Sequence, residues 1–146
     1  MAISALQAAK KVCQIGKWKV TNLQIQKVLY LAHMIYMGRN EGQPLISEAF
    51  EAWDYGPVIP SLYHKAKIYG SSPIKELSIE LNESGREKEF QALEEACEAL
   101  LTLSPGALVS FTHREGGAWE KSYKPHVKGL SISNHDILAE YGAIKK

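Results

Sequence analysis

The chain has 146 residues, 45% of them hydrophobic, with 17 Lys plus Arg against 16 Asp plus Glu and a formal net charge of +1. That length suits one domain spanning 1–146 that buries roughly two thirds of its unfolded surface, and leaves too little for two sizeable cores. The charge is near-balanced and the lysines are scattered, the densest pieces being Lys10-Lys11 with Lys17 and Lys19 and the tail Lys145-Lys146, so the sequence shows no basic excess of the kind phosphate binding uses and nucleic acid is not expected as a partner.

Ser4 can cap a first helix that carries Leu6, Ala9, Val12 and Cys13 on one face and ends at Gly16. Thr21 or Asn22 can cap the next, "LQIQKVLYLAHMIYM" at 23–37. Gln26-Lys27 belong to its amphipathic start; from Val28 onward it is apolar on nearly every side, which places it at the centre of a domain. His33 reads as a hydrogen-bonded core histidine, and Gly38 with "RNEGQP" stops the helix.

The loose alternation of "PLISEAFEAWDYG" favours a short strand or extended segment. Pro57 denies Gly56 the helical region, and Pro60 presets the first turn of a helix from about Ile59 to Tyr69, closed by Gly70. "SSPIKELSIELNESG" is turn-rich, a loop with room for one short strand. "REKEFQALEEACEALLTL" returns to a helical period through Phe90, Leu93, Cys97 and Leu100. Ser104-Pro105 open a short helix through Phe111, Gly116-Gly117 force a turn, and Ser133 with Asp136 has capping-box spacing before a last helix. The fold class is therefore mainly α: a compact domain of about six helices with a short extended segment before the Gly-Pro corner.

Catalytic signatures are missing. The chain has no P-loop, GxGxxG, HExxH or GxSxG pattern, and its five histidines lack metal-ligand spacing. Cys13 and Cys97 fall on apolar stripes and read as buried thiols. His113 with Glu115 and Asp54 could be assembled in space into an acid–base or metal site, which makes a His/acid-dependent hydrolase or metal enzyme the alternative from a different class, but sequence does not establish their proximity. No catalytic residue, cofactor or metal is expected. A helical-hairpin DNA reader is also disfavoured, because the 23–37 helix is too apolar to show side chains to base edges. No run reaches the ~18 apolar residues of a membrane span and no leader pattern opens the chain, so a cytoplasmic protein is expected.

Three motifs occur in order: Gln26, Lys27, Leu29 and Tyr30; then Glu51, Ala52, Trp53, Gly56, Pro57 and Val58, with Tyr55 inside the corner; then Thr112, His113 and Trp119. Together, across about Leu23 to Tyr141, they make the chain resemble the SocA-like antitoxin domain, also called the Panacea domain, which is related to phage-associated proteins. The resemblance implies a non-enzymatic antitoxin that neutralises a toxin encoded beside it by binding it directly. In one branch the domain is instead an adaptor that delivers the toxin to a ClpXP-type protease. Gln26, Lys27, Tyr30, Trp53, Tyr55, Gly56, Pro57, His113 and Trp119 are then structural or partner-binding residues. Ala118 stands where the family often has proline. The corner around Trp53 reads first as a structural lock, with Trp53, Tyr55 and Trp119 available as anchors for a partner where they are exposed.

Overall fold

The structure, a computed structural model, describes residues 1–145; Lys146, the end of the basic tail, lies outside them. The helices are α1 (Ala5–Ile15), α2 (Asn22–Arg39), α3 (Pro60–Ala66) continued by a 3-10 turn (Lys67–Tyr69), α4 (Glu87–Leu100), α5 (Pro105–Thr112), α6 (Ala118–Ser122) and α7 (Asn134–Lys145). Strands β1 (Phe50–Trp53), β2 (Gly56–Val58) and β3 (Ser131–Ile132) form one antiparallel sheet in the order β2-β1-β3.

The all-round apolar helix is the axis of the molecule. α2 packs against α1, α3, α4, α5, α7 and β2, and Ile25, Val28, Leu29 and Tyr30 lie fully inside the core. Its start is fixed by a capping box: Thr21 Oγ1 accepts from the Gln24 amide at 3.2 Å, and Gln24 Oε1 accepts from the Thr21 amide at 2.9 Å. The helix runs through Gly38 to Arg39 rather than stopping at the glycine. A Cβ at Gly38 would stand 2.2 Å from the Tyr141 ring, so this residue serves close approach of α7, not termination. His33 is sealed between segments. Its Nδ1 accepts from the Ile46 amide at 3.1 Å, which leaves the proton on Nε2 to be donated to Asn134 Oδ1 at 2.9 Å.

Ser4 and Ser104 cap α1 and α5, each accepting from the amide three residues on. The seventh helix is α6, five residues that the glycine pair hides from a periodicity reading. The polar 71–86 stretch holds no strand: Leu77 is buried, with Ile79 and Leu81 half-buried, and the segment is pinned by side chains of α1. Gln7 bonds the Glu80 carbonyl and the Asn82 amide, and the Lys10 ammonium donates to the Ile79 carbonyl.

The Gly-Pro corner is a β-hairpin. Trp53 faces Gly56, Ala52 faces Pro57 and Glu51 faces Val58, leaving Asp54-Tyr55 as a two-residue loop. Neither loop residue has a positive φ; Gly56 takes it instead, at 114°, as in hairpins that follow a regular turn with a glycine bulge. β2 lies at the sheet edge, where proline's missing N–H breaks no ladder.

Candidate functional site

The polar residues at the start of α2 are not on its surface. Gln26 and Lys27 are 2% and 1% exposed and reach into the hairpin. Gln26 donates to Asn22 Oδ1 at 3.1 Å and accepts from the Ile59 amide at 2.8 Å; Lys27 Nζ donates to the Pro57 carbonyl at 2.9 Å. Two side chains of one helical turn thereby satisfy backbone groups of the strand that leads into α3, which otherwise would be buried without partners. Burial lowers the Lys27 ammonium from the ordinary lysine value to about 7.

Gly56 sits in the middle of this contact. A Cβ there would meet Lys27 Cε and Thr112 Oγ1 at 3.0 Å and His113 Nε2 at 3.1 Å. Thr112 is fully buried, its hydroxyl donating to the Val109 carbonyl at 2.9 Å. His113 Nε2 is buried without a hydrogen-bond partner. Burial pulls the imidazole below its ordinary pKa, the nearby Lys27 adds to this, and the Tyr55 backbone opposes it. Two basic groups thus converge on one glycine with no anion between them, and both are driven toward their neutral forms.

Aromatic rings cover this cluster. Trp119 stacks on His113 with ring centres 3.8 Å apart and planes 2° from parallel, and on Tyr123 at 4.6 Å on its other side. Its indole N–H donates to the Trp53 carbonyl at 2.7 Å, tying α6 to the end of β1. Trp53 meets the Tyr63 ring at 4.9 Å, and the Tyr123 hydroxyl donates to Asp54 Oδ1 at 2.5 Å. Tyr55, at the tip of the loop, is 73% exposed.

The structure therefore brings Gln26, Lys27, Trp53, Gly56, Pro57, His113 and Trp119 together from three distant segments. Tyr30 is directed elsewhere. Its ring packs edge-on to Phe50 at 5.3 Å, and its hydroxyl donates to Glu140 Oε1 at 2.8 Å. Burial and the neighbouring Glu140 raise its phenol pKa. Glu140, which in the sequence looks like one more helix-surface acid, is 3% exposed. The same Oε1 accepts from the Ala118 amide at 3.1 Å, while Arg114 Nε lies 3.0 Å from Oε2 as an ion pair without hydrogen-bond geometry. Glu140 thus joins α2, the 113–118 turn and α7, and no sequence pattern marks it.

His113, Glu115 and Asp54 are not assembled into an acid–base group. Among the described residues His113 bonds neither acid, Asp54 is taken by Tyr123, and no cluster of three or more His, Cys, Asp or Glu side chains could hold a metal. Both cysteine thiols are pushed up to about 12 by burial. A groove beside Tyr36 and Lys88 and another beside Leu6 and Leu77 do not include the hairpin cluster. Among the described residues, no helix is long and apolar enough to cross a membrane. With Lys27 buried, the arrangement holds the hairpin against the central helix.

A family model described as antitoxin SocA-like, Panacea domain, matches residues 25–120, a span that opens at the start of α2 and closes just after Trp119. The chain is also 32% identical over 111 residues to a protein named Antitoxin SocA from Caulobacter vibrioides (strain NA1000 / CB15N). That alignment covers 69% of this chain and 58% of the relative, so the chain spans little more than half the relative's length. No solved structure matches.

Proposed function

The chain belongs to the SocA-like antitoxin (Panacea domain) family, and from that premise we propose that it is an antitoxin that neutralises a cognate toxin by binding it directly. The observation that carries this reading is the family match over 25–120, supported by the relative named Antitoxin SocA. We take 1–146 as one such domain, because core residues outside the matched span, from Ile3 to Ile137, join the same buried cluster. The cytoplasm is the proposed compartment, in keeping with two free, buried cysteines. The toxin gene is proposed to lie beside this one. No enzymatic step is required, since occupying the toxin is enough: with free antitoxin at about a hundred times the Kd, only about 1% of toxin stays free.

Co-expression with the product of the neighbouring reading frame tests this. Growth should be rescued in cells with and without their ClpXP protease. Rescue that disappears when the protease is removed, while the complex persists, would instead assign the role of a proteolytic adaptor. Absence of rescue with abundant folded protein would remove the antitoxin reading.

A further inference from the structure

The surface charge of this nearly neutral chain is segregated. No Asp or Glu occurs from Tyr55 to Lys75, nor from Lys121 to His135. These two acid-free stretches flank the hairpin, one continuing from β2 into α3, the other meeting it through Tyr123 and β3. Acids concentrate on α4, where Glu87, Glu94, Glu95 and Glu98 are exposed, and α4 packs on α1 and α2, away from the hairpin.

Between the acid-free flanks stands a ridge of half-exposed rings, Tyr63, Trp53, Trp119 and Tyr123, with Tyr55 projecting from its tip. The acids on the ridge are already engaged: Glu51 accepts from the Trp53 indole at 3.0 Å, Asp54 from Tyr123, and Glu120 from the Gly116 amide at 3.0 Å. The lysines are not. Lys67, one turn beyond Tyr63, and Lys121 and Lys124, beside Tyr123, make no ion pair among the described residues. What the ridge leaves uncompensated is aromatic surface and positive charge.

We propose that this ridge is the toxin-docking surface, and that the toxin meets it with an apolar side chain packed on Tyr55 and Trp53 and with carboxylates facing Lys67, Lys121 and Lys124. The proposal rests on the antitoxin reading and names its contact face. Rigid aromatic side chains that are partly exposed, with Tyr55 largely so, make anchors at low entropic cost, and complementary charge around them sets orientation and association rate. The sealed Lys27–Gly56–His113 cluster beneath gives the ridge a fixed geometry, so little ordering accompanies binding. A duplex is the poorer fit, because Glu51 and Asp54 lie within the ridge and would face phosphates.

The test uses the purified chain and the purified product of the neighbouring reading frame, with Kd measured by calorimetry and folding checked by thermal melts. Tyr55→Ala and the pair Lys67→Glu with Lys124→Glu should each weaken binding by about tenfold or more at unchanged Tm, while Glu94→Lys with Glu98→Lys leaves Kd unchanged. Amides of 53–56 and 118–124 should gain exchange protection in the wild-type complex. If wild type binds and the ridge variants bind equally well, or the α4 pair alone loses binding, the ridge is not the docking face and the antitoxin reading stands. If the ridge lysines instead carry affinity for a ~30-bp duplex while toxin binding ignores them, the surface belongs to nucleic acid. If wild type binds no toxin, the antitoxin reading falls and this proposal with it.

Discussion

Lys27 Nζ donates to the Pro57 carbonyl at 2.9 Å, so the central helix holds the hairpin through an ammonium group that water barely reaches. Below pH 7 the folded form bears the whole cost of that buried charge. Between about 7 and the ordinary lysine value of 10.5 the unfolded chain holds more proton than the folded one, so stability rises with pH across that window. The ceiling is about 1.4 kcal/mol per pH unit. Lys27→Met removes both the titration and the bond to Pro57. Urea melts at pH 7 and 8.5 should show wild type gaining about 1–2 kcal/mol relative to the Met variant. Equal pH response in the two proteins would show that Lys27 titrates as a solvated lysine.

Gly56 is the tightest point of the hairpin. Gly56→Ala combines a φ of 114° with contacts near 3.0 Å to Lys27 and Thr112, and should cost about 2 kcal/mol or more. Gly142→Ala is the matched comparison: it lies within α7, where an added Cβ meets nothing within 4 Å, and helix propensity favours it by up to about 1 kcal/mol. Opposite signs in thermal melts are expected. A harmless Gly56→Ala would mean that the hairpin is not clamped as described.

How much of this was legible depends on where the signal lies. The central helix, the capped starts at Ser4, Thr21 and Ser104, and the extended segment before Pro57 follow from local patterns. The family motifs were visible too, yet their convergence was not, because Lys27 and His113 are brought to Gly56 only by the packing of α2 and α5 on the hairpin. β3 is two residues long and pairs with β1 as Phe50 with Ile132 and Glu51 with Ser131, far apart in the chain, so no periodicity announces it. Gln26 and Lys27 belong to the amphipathic start of the helix, and a helix pattern assigns polar residues outward. Their burial reflects backbone groups of Pro57 in β2 and of Ile59 just after it, which no helical pattern contains.

Ala118 shows the same limit from the other side. Its amide is a donor to Glu140, a bond that proline at this place could not make. As the first residue of α6 the position tolerates proline's fixed φ, so Ala118→Pro should fold and cost about 1 kcal/mol for the lost bond. With Glu140→Gln added, the two costs should fall short of their sum. Strict additivity in a double-mutant cycle would show that the two residues are not coupled.

Leu29 lies fully within the core on α2. Leu29→Ala should cost on the order of 2–5 kcal/mol through lost burial and the remaining cavity. A melting shift no larger than that of an exposed substitution such as Lys65→Ala would contradict the placement of α2 as the axis of the fold.

The central claim is neutralisation by occupancy, and titrating this chain into the purified, active product of the neighbouring gene tests it most directly. With no protease present, toxin activity should fall in proportion to added chain and vanish near stoichiometric equivalence, and activity should return when the complex is dissociated. Toxin activity that persists undiminished at saturating chain, with binding verified in the same sample, would contradict the account.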